Sequence, residues 1–248
     1  MSDIVYDKIC LMAPTYKRVG DKLPRFIDSA ISTVSDPSRI HMCFCVNQAD
    51  RESIDYLEGR DLPCGKTVVI EPTSQPNLAY YFNLMYGLTE HLGEATVVSM
   101  TGDDMIFVTD HYDKFILDLI NHYDGIGVFW CNDDYIAKER LPVNLFVTRK
   151  FVQATEEPFM CEKYPADMID YVWGKVGKYT RTCHYLPDVV IRHDHTTKKQ
   201  PEDWDETYRR LRPAQADAHS KFGKPYAREL AKKIALRLAA KGMTGDSV

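Results

Sequence analysis

Short apolar runs alternate with stretches of helical spacing along the first half of the chain, and this alternation limits the folds open to it. Four runs have the length of buried strands and cover residues 9–13, 41–46, 67–70 and 95–100. Apolar side chains recur at helical spacing between these runs, at Phe26, Ile27, Ala30, Ile31 and Val34 and again at Leu78, Phe82, Met85 and Leu88. Strands that alternate with helices predict an α/β fold, with a mainly parallel central sheet flanked by helices.

The loops that follow the first, second and fourth runs are expected at one edge of this sheet, because crossover connections are right-handed. Ligands of parallel sheets bind beyond the carboxyl ends of the strands. The residues expected there are 14–18, Asn47 and the adjacent pair Asp103 and Asp104. We therefore expect the functional site to be built from these three loops.

The second half of the chain is less regular but continues the pattern. Apolar runs at residues 126–131, 143–147 and 185–191 predict further strands. Residues 112–120 and 166–176 have helical spacing. A basic helical pattern follows over residues 226–241, with Leu230, Ile234 and Leu238 in one stripe. We expect this stripe to pack on the core, in preference to an amphipathic helix that touches a membrane or a nucleic acid.

The composition is typical of a soluble globular protein, with 44% hydrophobic and 27% charged residues among 248. The net charge of −5 argues against a generally basic nucleic-acid binder. No apolar run has the length of a membrane span, and no secretory leader is recognised, so no stable membrane insertion is expected. The seven cysteines are scattered without a zinc-binding spacing, which favours a reducing, cytoplasmic compartment.

The pair Asp103 and Asp104 is the sharpest chemical signal. It follows a buried run and Gly102, which permits a tight turn. Two adjacent carboxylates repel each other unless a cation lies beside them, and Mg²⁺ or Mn²⁺ has the required preference for oxygen ligands. A helix N-cap is the competing interpretation. The dipeptide alone does not separate the two.

Two histidines form the second signal, at the end of the run 185–191. His193 and His195 share one face of an extended segment, so one or both are candidate ligands of the same cation. A solvated polar strand end is the alternative, to which we give slightly less weight.

A pair of carboxylates lies on the predicted helix 166–176. Asp167 and Asp170 are three residues apart and therefore neighbours on one helix face. Either is a candidate general base. Taken alone, this pattern fits a solvated helix face better than a catalytic group.

The turn after the first run reads Pro14-Thr15-Tyr16-Lys17-Arg18. Its aromatic ring can stack on a base, and its guanidinium can bind a phosphate as a fork. The sequence contains no GxGxxG, Walker A or GxSxG pattern, so the dinucleotide, P-loop and serine-hydrolase classes are not supported.

Taken in order, these motifs resemble a GT-A glycosyltransferase of the inverting family 2 kind. The likeness covers roughly residues 5–212 and is nearest to small glycosyltransferase-like proteins of phages and actinobacteria. The stretches that carry it, besides the first turn, are 101–104, 132–133, 170–173, 186–195 and 204–208. The resemblance implies a GT-A domain over residues 1–200, with a nucleotide-binding half at about 1–105 and an acceptor-binding half at about 106–200. Residues 201–248 are then a helical extension packed on this domain.

The resemblance also implies a role for each candidate residue. Asp103 and Asp104 resemble the DxD-type element that binds Mn²⁺ or Mg²⁺ and the donor ribose, His193 or His195 a late metal ligand, and Asp170, with Asp167 as the alternative, the base that deprotonates the acceptor. The residues expected to bind the nucleoside-diphosphate sugar are Pro14, Thr15, Tyr16, Arg18, Asn47, Asn77, Asp103 and Arg192. A UDP-sugar is the expected donor, although Asn47 stands where many members have an aspartate.

Three functions remain open at this point. The first is a metal-dependent inverting glycosyltransferase, with a glycan or a hydroxylated base in phage DNA as candidate acceptors. The second is a phosphoesterase, another hydrolase or a nucleotidyltransferase that uses Asp103, Asp104 and His193. The third is a binding module without catalysis. The oligomeric state is not indicated by the sequence.

Overall fold

The computed structural model describes residues 4–72, 78–135, 137–160, 166–194 and 223–245, without the side chains of residues 166–169. Its strands are β1 Lys8–Thr15, β2 Ile40–Asn47, β3 Gly65–Glu71, β4 Thr96–Met100, β5 Met105–Phe107, β6 Val128–Asn132, β7 Leu145–Thr148 and β8 Cys183–His193. Its α-helices are α1 Lys22–Ser32, α2 Arg51–Glu58, α3 Leu78–Leu88, α4 Tyr112–His122, α5 Arg149–Ala154, α6 Ala166–Thr180 and α7 Lys224–Ala240.

The strands form one eight-stranded sheet in the order β3-β2-β1-β4-β7-β6-β8-β5. The pairs β3–β2, β2–β1, β1–β4 and β6–β8 are parallel. The pairs that involve β7 or β5 are antiparallel. Between β6 and β7 the described residues contain only a 3₁₀ turn, Lys138–Arg140, and without a helical crossover β7 returns antiparallel.

Two apolar layers cover the two faces of the sheet, because successive side chains of a strand point to opposite faces. In β1, Ile9, Leu11 and Ala13 join the layer formed with α1, α2 and α4. Cys10 and Met12 join the opposite layer, which includes α3, α5, α6 and α7. The architecture is therefore three layers, helices–sheet–helices, and confirms the predicted α/β class.

The sequence predicted most elements but missed three short ones. The strand β5 has three residues, α5 has six and α2 has eight, so none is long enough to show a clear apolar period. The apolar spacing from Leu78 to Leu88 corresponds to α3, which is followed by a 3₁₀ turn over Thr89–Leu92.

The helix α7 packs along α6 and the end of α5, as the apolar stripe predicted. Ile234 and Leu238 are buried. Arg237 Nη1 lies 2.8 Å from Glu157 Oε1, and Lys241 Nζ lies 2.8 Å from Glu156 Oε1. Two basic residues of the predicted pattern over residues 226–241 therefore form ion pairs within the protein. Among the described helices, none combines the length and the apolar character that a membrane crossing requires.

The half-buried ring of His184, in β8, gives the fold a predicted acid sensitivity. The centroid of its ring lies 3.8 Å from that of Tyr123 and 4.7 Å from that of Phe129, and both pairs are stacked. The pKa of His184 is lowered from 6.5 to about 4, mainly because the ring is buried. A hydrogen bond with the Ile126 backbone raises this pKa, and the nearby His122 lowers it further. Between pH 6.5 and 4 the unfolded chain therefore binds a proton that the folded chain does not.

We expect the His184→Phe variant to lose less stability than the parent between pH 7.5 and pH 5. The phenyl ring keeps the stacking but cannot bind a proton, so its unfolding carries no such linkage. Urea unfolding at the two pH values measures this difference. An equal loss of free energy of unfolding in both proteins would contradict the assignment.

Candidate functional site

The carboxyl ends of β1, β2, β4 and β8 lie at one edge of the sheet. The first three strands are parallel to one another through β1. From β4, two antiparallel pairings through β7 restore the original direction in β6, and β8 is parallel to β6. The edge predicted from the sequence is therefore confirmed, and the end of β8 joins it.

Asp103 is buried just beyond β4, with 2% of its surface exposed. Thr15 Oγ1 donates a hydrogen bond of 2.6 Å to Asp103 Oδ2, and Arg18 Nη1 donates to Asp103 Oδ1. Burial raises the pKa of the Asp103 carboxyl, and the lowering effect of Arg18 offsets this only in part. The last residue of β1 thus supplies a hydroxyl to the first carboxylate of the pair, and the turn after β1 supplies a cation.

Asp104 is buried beside Asp103 and faces a different strand. Its Oδ1 lies 3.4 Å from His193 Nε2, and its Oδ2 lies 3.7 Å from Arg18 Nη1. Burial by itself would raise the pKa of Asp104, but His193, Arg18 and Lys22 together hold it below its usual range. The second carboxylate is therefore ionised and shared between the end of β8 and the turn after β1.

Backbone hydrogen bonds fix His193 against this pair. The His193 N–H donates to the carbonyl of Asp133, at 3.0 Å, and the next N–H, of Asp194, donates to the carbonyl of Asp104, at 2.9 Å. The Asp194 carboxylate in turn accepts a bond from Arg25 Nη2, at 2.7 Å. The backbone at His193 is thus held by the residue that follows β6 and by the loop after β4.

Gly102 leaves space for a neighbouring side chain. A Cβ at this position would lie 2.6 Å from Asp104 Oδ1. The tight turn expected from the sequence is present, because the Met105 N–H donates to the Gly102 carbonyl at 3.1 Å, and the close approach of the Asp104 carboxylate is a second reason for a glycine.

The turn after β1 is held by Asp50, which the sequence analysis missed. Asp50 Oδ2 accepts the Lys17 N–H at 2.5 Å, and its Oδ1 caps α2 through the Ser53 N–H at 3.2 Å. Lys17 has a left-handed φ of 53°, which this bond stabilises. The signal that could have found Asp50 is an aspartate just before a helix, in the loop after the second strand.

The remaining predicted residues take several positions. Asn47 is buried at the end of β2, where its Oδ1 accepts the Ala49 N–H at 3.0 Å. Pro14, in β1, and Tyr16, in the turn after β1, are half-buried, and Arg192 is exposed on β8.

Asp170 is buried in α6, with 8% exposed, and its role as a base stays a prediction. Asn77 and His195 lie outside the described residues, as does the side chain of Asp167. The structure therefore brings together Thr15, Arg18, Asp103, Asp104 and His193.

The side chains at the aspartate pair fit a divalent cation that takes two ligands from the protein and its other ligands from a bound substrate. The Asp104 carboxylate and the His193 imidazole converge within 3.4 Å, whereas both oxygens of Asp103 are engaged by Thr15 and Arg18. Within the described residues, no group of three or more His, Cys, Asp or Glu side chains is arranged as a metal site. Mg²⁺ commonly takes one or two carboxylates from a protein and its other ligands from phosphates and water.

We expect Gly102→Ala to destabilise the protein by about 1–3 kcal/mol, because the new Cβ displaces the buried Asp104 carboxylate from its partners. The control is Gly87→Ala in α3, where a Cβ meets open space. That change should raise the free energy of unfolding by about 0.5 kcal/mol. Urea titration measures both, and a neutral Gly102→Ala would show that Asp104 does not need this space.

Comparisons with known proteins identify the fold but not the family. No family model matches the chain, and no curated protein matches its sequence. Among solved structures, TarS from S. aureus matches with a TM-score of 0.57 and 10% identity, over 88% of this chain and 44% of that one. The chain thus spans less than half the length of that TarS chain.

Two shorter matches were solved with nucleotide sugars. TarS residues 1–349 in complex with UDP-GlcNAc match with a TM-score of 0.58 and 13% identity, over 94% of this chain and 73% of that one. The mannosyltransferase PcManGT from Pyrobaculum calidifontis, in complex with GDP-Man and Mn²⁺, matches with a TM-score of 0.55 and 14% identity, over 97% and 76%. The chain therefore has the GT-A-like fold of these glycosyltransferase structures.

Proposed function

We propose that this protein is a metal-dependent inverting glycosyltransferase that moves a sugar from a nucleoside-diphosphate sugar to an acceptor hydroxyl. The observation that carries the proposal is the buried pair Asp103 and Asp104, joined to Arg18 and His193 at the carboxyl edge of the sheet. A fold shared with structures that bind UDP-GlcNAc, or GDP-Man with Mn²⁺, supports it. A UDP-sugar is the first donor to test.

The residues at the edge divide into a cation site and a donor-binding turn. Asp104 and His193 are the proposed protein ligands of Mn²⁺ or Mg²⁺, with Asp103 beside them toward the donor ribose. A bound cation neutralises the charge of the diphosphate leaving group. Thr15, Tyr16 and Arg18 form the turn expected against the nucleotide, where the half-buried ring of Tyr16 can stack on a base.

Transfer then requires one base for the acceptor. The acceptor oxygen forms a bond to the anomeric carbon as the bond from that carbon to the diphosphate oxygen breaks, and the nucleoside diphosphate leaves with the bonding electron pair. The acceptor proton passes to Asp170, the proposed base, whose burial in α6 restricts water around it. A single displacement inverts the anomeric configuration.

Calorimetry with a panel of nucleoside diphosphates, with and without Mn²⁺, tests the donor site. We expect one nucleotide to bind with Mn²⁺, and Asp104→Asn to weaken that binding by about tenfold or more, because a neutral amide is a poor cation ligand. Asp118→Asn, at an exposed position of α4, is the matched control and should leave binding unchanged. Nucleotide binding that is equal with and without Mn²⁺ and in Asp104→Asn would contradict the cation site.

Asp170→Asn tests the proposed base. We expect a loss of about 10²–10⁴-fold in turnover, since an amide cannot accept the proton, while donor affinity stays close to that of the parent. Turnover is measured as nucleoside diphosphate released with glycans and with oligonucleotides carrying hydroxylated bases as acceptors. Asp118→Asn again serves as the control.

Unchanged turnover in Asp170→Asn would move the base to another residue. Release of sugar to water at the same rate without any acceptor would favour a hydrolase in place of a transferase.

A further inference from the structure

Arg18 occupies an unusual position between two carboxylates of adjacent residues. Its Nη1 donates to Asp103 Oδ1 and lies 3.7 Å from Asp104 Oδ2. All three side chains are buried, with 9% of Arg18 exposed and less of either aspartate. In this arrangement the guanidinium supplies the positive charge that two neighbouring buried carboxylates need.

The Asp104 carboxylate that Arg18 approaches is also the proposed cation ligand, with His193 at its Oδ1 and Arg18 nearer to its Oδ2. A cation on Asp104 would lie within a few ångströms of the Arg18 guanidinium, and like charges at that separation repel strongly in a buried site. The guanidinium and the cation therefore compete for the aspartate pair. An added anion that binds the guanidinium would remove this competition. The diphosphate of a donor is such an anion, and a guanidinium binds phosphate as a planar fork.

The backbone of the turn that carries Arg18 is anchored. Movement of the guanidinium from the aspartates to a phosphate therefore involves the Arg18 side chain alone. The Lys17 N–H is bound to Asp50, which also caps α2, and the Arg18 carbonyl accepts the Leu23 N–H at 3.0 Å. The backbone on both sides of Arg18 is thus fixed to two helices. The long side chain can rotate toward a phosphate without any movement of that backbone.

We propose that Arg18 is an internal counter-cation that blocks the cation site of the aspartate pair until a nucleoside diphosphate draws its guanidinium away. This inference rests on the proposed donor site. Arg18 is then a positioning residue that makes cation and nucleotide bind together. The coupling is reciprocal, so each ligand strengthens the other by the same factor. The cation alone binds weakly, because it must displace Arg18 without compensation.

Calorimetry of Mn²⁺ alone, with the metal-free protein, is the direct test. We expect Arg18→Gln to bind Mn²⁺ alone at least about tenfold more tightly than the parent, since the amide keeps a hydrogen-bond donor for Asp103 but removes the competing charge. Arg18→Lys keeps the charge and should retain the weak binding of the parent. Arg51→Gln, an exposed cation on α2, is the matched control for the change in net charge and should also behave as the parent.

A second measurement uses the nucleoside diphosphate that binds most tightly to the parent. We expect the factor by which Mn²⁺ raises its affinity to be smaller in Arg18→Gln than in the parent, because Arg18 no longer links the two ligands. Thermal unfolding supplies an independent readout. Mn²⁺ alone should raise the Tm of Arg18→Gln more than that of the parent.

Three outcomes decide between the ideas. Equal or weaker binding of Mn²⁺ alone by Arg18→Gln, with no larger rise in Tm, would overturn the role of Arg18 even if the parent binds nucleotide with Mn²⁺. Tighter Mn²⁺ binding by Arg18→Gln, without nucleotide binding by either protein, would support the competition between Arg18 and Mn²⁺. The same result would contradict the proposed donor site. Nucleotide binding without any Mn²⁺ effect in either protein would overturn the competition and leave a metal-independent transferase.

Discussion

Two carboxylates are buried side by side at the end of β4, and much of the surrounding structure serves to balance their charge. Asp103 and Asp104 cannot both remain ionised inside the protein without cations close to them. Arg18 reaches them from the turn after β1, and His193 from the end of β8. Elements far apart in the sequence are thereby held at one point. The same demand for positive charge makes this point suited to a cation and a diphosphate.

The sheet delivers these residues through its strand order. The parallel pairs β2–β1 and β1–β4 place three strand ends at one edge of the sheet. The fourth end, that of β8, reaches this edge because β7 inserts antiparallel between β4 and β6 and the direction is reversed twice. A carboxylate from the first half and an imidazole from the second half thus meet across a continuous sheet.

The fold is shared with glycosyltransferase structures at 10–14% identity, so it does not require one particular sequence. A parallel sheet buried on both faces accepts many apolar combinations of similar volume. Particular residues contribute most where a close approach or a left-handed backbone restricts the choice of side chain. Gly102, beside the Asp104 carboxylate, and Asp50, which holds the left-handed turn at Lys17, are two such places.

The sequence by itself determined the α/β class, most strands and long helices, and the edge of the sheet at which the polar residues gather. Apolar periodicity and right-handed crossovers are local or general rules, and they operate without knowledge of distant contacts. The aspartate pair and His193 were visible for the same reason, since each follows an apolar strand. The short elements α2, α5 and β5 were not visible, because fewer than about three turns or four strand residues give no period to read.

Only the tertiary structure decided how the charges are shared. Arg18 and Asp103 are 85 positions apart in the sequence, and Lys17 and Asp50 are 33 apart, so the contacts between them depend on the fold. Such contacts follow from strand order, including the antiparallel insertion of β7, which no local pattern encodes. Electrostatic energy in a buried site changes steeply with separation, so the chemistry of this edge is set by the fold that brings its residues together.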